Sequence, residues 1–258
     1  MKRLVFCVLL AACNGTTGSD LVTFTGSAGG ASDVAPSLAF TTGSGWQVVL
    51  ERAKLHVGAV YLNQNVAISG NADQPCVLPG IYVAQLFGPL DLDLLSPALV
   101  PFPGAGEGTE TEAHTAEVWL LEGDINRATD GTVVLDVAGT ATKDLATIPF
   151  SAAVTIGQNR ASPPPNVAMP GANPICHRRI VTPIEVDILP KNGGTLQLRV
   201  DPRALFDGVD FSRATQISAT PPAYVIPDEQ GGIGGALLAG LHSAFGVYAF
   251  SWQDRSGP

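Results

Sequence analysis

Along "WQVVLERAKLHVGAVYLN" (46–63), apolar and polar positions alternate: Leu55, Val57, Ala59 and Tyr61 fall on one side, Arg52, Lys54 and His56 on the other. A period of two predicts a half-exposed β-strand, because apolar positions of a helix recur every 3.6 residues. The same pattern, rich in β-branched residues, marks 81–87 "IYVAQLF", 116–121 "AEVWLL", 132–140 "TVVLDVAGT", 148–156 "IPFSAAVTI", 180–188 "IVTPIEVDI", 195–201 "TLQLRVD" and 244–252 "AFGVYAFSW". Turn formers separate these segments at Asp130-Gly131, Asn192-Gly193-Gly194 and Asp207-Gly208. No helical stretch of crossover length alternates with them, so the pattern predicts an all-β fold, an antiparallel β-sandwich.

Three segments break the alternation. Residues 96–112 and 158–175 are rich in Pro and Gly and read as long loops. Residues 231–243, "GGIGGALLAGLHS", open an uncharged run that extends to Trp252. Its glycines, its His242 and its switch to alternating aromatic residues predict one short C-terminal helix leading into a final strand, not a membrane span. Residues 14–36 are mostly Gly, Ser, Thr and Ala and read as a flexible tether, with Leu21–Phe24 as a candidate strand.

Composition changes the picture in two ways. With 45% hydrophobic and 14% charged residues the chain can fill a core, here assigned to one β-sandwich domain over 37–258. A formal charge of −9 argues against nucleic-acid binding and polybasic membrane docking, which need clustered Lys and Arg.

The N-terminus carries Lys2 and Arg3, then the apolar run Leu4–Leu10, then Ala11-Ala12, the order of charge, apolar core and small residues in an export signal. The run is too short to span a bilayer, which takes about 20 residues. Leu10-Ala11-Ala12-Cys13 resembles the lipobox of bacterial lipoproteins. That resemblance implies removal of residues 1–12 as a signal peptide and acylation of Cys13 by palmitate-type chains, with 13–36 as the tether. Asn14 in place of Asp points to the outer membrane, on its periplasmic or surface face. Two or three acyl chains hold effectively permanently at about 0.8 kcal/mol per buried methylene. The alternative is an ordinary signal cut after an A-x-A-like site, with Cys13 left as a thiol.

Lipidation sorts the cysteines. Cys7 leaves with the signal and Cys13 takes lipid, so Cys76 and Cys176 are the thiols left in an exported body, where disulfides persist. A bridge between them would close a loop of about 100 residues and add about 4–5 kcal/mol in the chain-entropy model. Two free buried thiols are the alternative.

Catalytic motifs are missing. "TGSGW" (42–46) is not a G-x-S-x-G elbow, H-E-x-x-H does not occur, and "GGIGGAL" (231–237) misses the last glycine of a dinucleotide fingerprint. "DINRATDG" (124–131) has Ala128 where a calcium loop needs an oxygen ligand. Asp91 and Asp93 share one side of a strand, a geometry open to acid–base work but more simply a solvated face. Trp46, Trp119 and Trp252 sit in strand contexts where core packing is the default reading, not a carbohydrate platform.

Histidine leaves one metal option. His56, His114 and His177 lie in separate segments that a β-sandwich could gather, and imidazole suits copper or zinc. Without an H-x-H or H-x3-H pair, scattered surface histidines are the plainer reading. The order of "WQVVLERAKLHVGAVYL", "TLQLRVDPRALFDGVDF" and "GLHSAFGVYAF" behind an exported leader is similar to β-sandwich proteins of the methanobactin-partner type, some of which bind copper. The resemblance implies the sandwich fold; the paired histidines that would carry a copper site over are missing. The sequence therefore predicts a non-enzymatic binding or accessory protein of the envelope with no cofactor. Its partners are the membrane, through the lipid, and an envelope protein; copper or zinc binding through the histidines is the alternative.

Overall fold

The computed structural model describes residues 19–65, 80–122, 131–156, 179–229 and 231–255. All four cysteines and His177 fall outside these ranges, as do the 158–175 loop and most of "DINRATDG". The strands are β1 (Leu21–Gly30), β2 (Leu38–Thr41), β3 (Gln47–Asn63), β4 (Tyr82–Asp93), β5 (Val100–Pro101), β6 (Gly106–Thr109) and β7 (Ala113–Trp119). They continue as β8 (Val133–Lys143), β9 (Ala146–Thr155), β10 (Ile180–Ile188), β11 (Thr195–Val200), β12 (Thr215–Ala219), β13 (Pro222–Val225) and β14 (Tyr248–Gln253). The α-helix α1 (Gly232–Leu241) precedes β14, so the described residues are all-β with a short C-terminal helix. No helix among the described residues is long and apolar enough to cross a membrane.

The fourteen strands form one connected sheet in the order β12-β13-β9-β8-β3-β4-β6-β1-β11-β14, with β2, β5, β7 and β10 pairing off that path. Pairing is mixed: most neighbours run antiparallel, but β1/β11 and β9/β13 run parallel, which corrects the expectation of antiparallel pairing throughout. The parallel partners lie far apart in sequence, where hairpin spacing carries no information.

Strand β3 is the hub. One edge pairs β2 over Gln47–Leu50 and then β4 over Lys54–Asn63; the other pairs β8 over Gln47–Leu55 and then β7 over Ala59–Asn63. The exchange of β8 for β7 falls at Gly58, where the chain leaving β7 crosses β3. A Cβ at Gly58 would stand 2.2 Å from the carbonyl carbon of Leu121 and 2.3 Å from the amide nitrogen of Glu122. Only a residue without a side chain lets the two backbones pass this closely.

The alternation also slips there. Core-facing positions run Leu55, Val57 and then Val60, Leu62, as the register to β4 shifts between Val57/Leu90 and Ala59/Phe87. Ala59 and Tyr61, read from the sequence as sharing a side with Leu55, therefore move to the side of Lys54 and His56, where Ala59 stays buried and Tyr61 is half-buried. A slip of one residue exchanges the faces of everything beyond it.

Beneath β3 lies a single apolar core that includes Leu50, Leu55, Leu62, Leu86, Leu92, Leu120 and Leu135, all fully buried. Each such side chain contributes about 1.5–3 kcal/mol by leaving water. Trp46 packs edge-on against Phe211 at 5.6 Å, and Phe211 stacks on Phe206 at 5.9 Å, so the core reading of Trp46 holds.

The segment expected as a tether over 13–36 contains β1, with Val22, Phe24 and Ala28 buried and partners on both edges. A paired strand thus lies within the segment read as a tether. The end of β1 is tied down by Arg203, whose guanidinium donates to both oxygens of Asp33 at 2.8 Å and to Asp201 at 2.7–3.0 Å.

Candidate functional site

The outward side of β3 divides at Gly58. Before it, basic residues alternate outward and meet acids on both neighbouring strands. The Arg52 guanidinium grips the Asp136 carboxylate of β8 at 2.9 and 3.0 Å. Lys54 stands opposite Asp93 of β4 and Asp136 of β8. His56 lies between two carboxylates: Nδ1 donates to Asp91 at 2.7 Å and Nε2 donates to Glu122 at 3.0 Å. Two donated bonds require two ring N–H groups, so this geometry is that of an imidazolium. Burial alone would lower the His56 pKa, but the hydrogen bonds and charges of Glu122 and Asp91 outweigh it and hold it above the ordinary value. Asp91 and Asp93 are thus the exposed acids of a charge ladder, in keeping with the solvated-face reading.

The ladder leaves little for a metal. Both nitrogens of His56 already serve carboxylates as donors, and a metal ligand must offer a lone pair. His114 is exposed on β7, in an open groove of about 660 Å³ lined by Glu112, Glu185, Asp187 and Phe245. The β3/β7 register sets Asn63 opposite Thr115 and Ala59 opposite Trp119, which carries His114 eight residues along the strand from His56. At 3.3 Å per residue that is roughly 26 Å, so the structure does not bring His56 and His114 together. His242 ends α1, with Nδ1 donating to the Leu238 carbonyl at 2.9 Å. Among the described residues no group of three or more His, Cys, Asp or Glu is arranged to hold a metal ion.

Beyond Gly58 the outward side is aromatic. Tyr61 of β3 meets Tyr82 at 5.2 Å and Phe87 at 6.0 Å, both of β4, and Trp119 of β7 at 4.7 Å. Tyr82 and Phe87 are 42% and 49% exposed, so the cluster forms a surface and not a core. In the register between these rings, opposite Tyr61, stands Glu117, which is fully buried.

Glu117 accepts from Trp119 Nε1 at 3.0 Å, Asn63 Nδ2 at 3.2 Å and the Tyr82 hydroxyl at 3.4 Å. Asn63 gives its amide N–H to Glu117 while its own Oδ1 is buried without a partner. Indole N–H is a donor only, so the Glu117 oxygen it meets is an acceptor, as both oxygens of an ionised carboxylate are. No Lys, Arg or His among the described residues reaches it. Burial pushes the Glu117 carboxyl above the usual range, and the three hydrogen bonds pull it part of the way back. Burial and the neighbouring Glu117 also raise the hydroxyls of Tyr61 and Tyr82, which stay protonated as donors.

Sequence reasoning passed over Glu117, Tyr61, Tyr82 and Phe87, and took Trp119 as core. One signal was present: in "TAEVWLL" a lone acid stands inside an apolar strand next to tryptophan. Such an acid is either at a surface or, as here, buried with dedicated donors.

Comparison with protein-family models, with curated proteins and with solved structures found no match.

Proposed function

We propose that this is a non-enzymatic binding protein of the bacterial envelope, anchored in the outer membrane by acyl chains on Cys13, that captures its ligand on the β3–β4–β7 aromatic side. One observation carries the binding role: the solvent-reaching ring of Tyr82, clustered through Tyr61 with the exposed Phe87, donates to a buried carboxylate that has hydrogen-bond donors but no cationic partner among the described residues. Burying a carboxylate in that way costs stability, and a fold that only needed packing would do better with an apolar residue there. The anchor rests on the signal-like start and the lipobox resemblance at Leu10–Cys13.

Two measurements test the two parts. Mass spectrometry of the membrane fraction should find Cys13 acylated at the mature N-terminus; a soluble mature protein with an unmodified Cys13 overturns the anchor. NMR of the full chain in small-molecule envelope extract should show shifts at Tyr61, Tyr82, Phe87 and Trp119. Shifts confined to other surfaces overturn the binding side.

A further inference from the structure

We infer that the β3–β4–β7 side takes an organic ammonium cation, of trimethylammonium or similar alkylammonium type, held over the rings of Tyr82, Phe87, Tyr61 and Trp119 with Glu117 as the buried counter-charge. The inference rests on the binding reading above and names its ligand class. Three observations select a cation of this kind.

Charge comes first. Glu117 is fully buried, its three partners are all neutral, and no cationic side chain among the described residues compensates it. A buried carboxylate is ordinarily paired, so the missing positive charge is the complement the site calls for. Ring chemistry comes second. Aromatic faces attract cations through the ring quadrupole, with tryptophan the strongest. Here two of the rings donate hydrogen bonds to the carboxylate, Trp119 through Nε1 and Tyr82 through its hydroxyl. Donation to an anion leaves each ring richer in electrons, so the carboxylate acts on a cation both directly and through the rings.

Access comes third, and it excludes the small ions. A metal ion binds carboxylate oxygens by direct coordination, whereas the Glu117 oxygens are sealed from solvent and taken by three donors. A large, weakly hydrated organic cation needs no such contact and rests against ring faces instead. Neutral sugars also stack on aromatic rings, but the buried charge contributes nothing to their binding.

The test is calorimetry of the full chain with choline chloride at matched ionic strength, beside the neohexyl alcohol in which carbon replaces the charged nitrogen. Choline should bind with a Kd on the order of 1 mM and the alcohol about tenfold more weakly or less. Glu117→Gln keeps the shape and removes the charge, and should weaken choline about tenfold. A combined Tyr82→Leu and Phe87→Leu variant, at exposed positions, should do the same and decides the matter if Glu117→Gln fails to fold. No binding up to about 50 mM choline, or equal binding of the alcohol, overturns the ligand class. A neutral saccharide that binds this side where choline does not overturns the ammonium inference and leaves the binding reading standing. A face that neither choline, the alcohol nor a saccharide perturbs overturns both.

Discussion

On either side of Gly58 the outward surface of β3 is built in opposite ways. Before it, charges are paired across strands: Arg52 with Asp136, and His56 with Asp91 and Glu122. After it, Tyr61, Tyr82 and Trp119 adjoin one acid that has no cation among its described partners, and Phe87 packs on Tyr61. The first half meets the ordinary needs of a solvated sheet. The second places a fully buried charge beneath exposed apolar rings, an arrangement that weakens the fold and suits a surface meant to be covered. Local breaks of this kind in an otherwise consistent sequence tend to mark function.

The largest expected effect comes from removing the divider. Gly58→Ala drives a methyl group into the backbone of Leu121 and Glu122, which cannot move aside as a side-chain tip could. A loss of about 3 kcal/mol in urea unfolding is expected. A loss below about 0.5 kcal/mol would mean the crossing over β3 is looser than the geometry requires.

Next is the acid itself. A carboxyl whose folded pKa is raised above its unfolded value weakens the fold as pH climbs through that window and beyond. Glu117→Gln removes this term, so the variant should gain about 1 kcal/mol near pH 7 and lose that advantage toward pH 4. Equal pH profiles of parent and variant would show that the buried charge carries no such penalty.

The paired half titrates in the opposite sense. His56 has a raised folded pKa, so its contribution is complete below the unfolded value near 6.5 and fades as pH rises through the folded one. The stability difference between parent and His56→Gln should be about 1 kcal/mol at pH 6, kept small by the solvent around both carboxylates, and should shrink toward pH 9. A difference that grows with pH would place a neutral ring at this site. Smallest of all, Arg52→Ala breaks an exposed pair and should change stability by no more than about 0.5 kcal/mol.

How far this division could be read in the sequence depends on the range of the interactions involved. The charge ladder was visible, because alternation over Arg52, Lys54 and His56 is a local property of one strand. Strands β7 to β11 and the closing helix were visible for the same reason. Strand β1 was visible only at its start, Leu21–Phe24: its "TGSAGG" stretch looks like linker, yet Gly29 and Gly30 are small because a neighbouring chain passes over them. A Cβ at Gly29 would stand 2.4 Å from the Ala98 carbonyl oxygen, and one at Gly30 2.3 Å from that of Leu94. Composition registers the glycines and not the chain that demands them.

The aromatic site was hidden by two non-local facts. Alternation assigned Tyr61 to the core side until the slip at Gly58, a consequence of register with β4, turned it outward. Glu117 lies in a strand that reads as buried, and its donors Asn63 and Tyr82 come from two other strands. For the histidines, spacing along the chain left their proximity open. His56 and His114 occupy neighbouring strands, but antiparallel register sets them at opposite ends of the pairing.

The exchange Glu117→Gln bears most directly on the contrast between the two halves of β3, because stability and binding should move in opposite directions. Measured on one preparation, the variant should unfold at higher urea than the parent at pH 7 and bind choline about tenfold more weakly. A variant that is less stable and binds choline as tightly as the parent would make Glu117 an ordinary structural residue and contradict its role as a held, uncompensated charge.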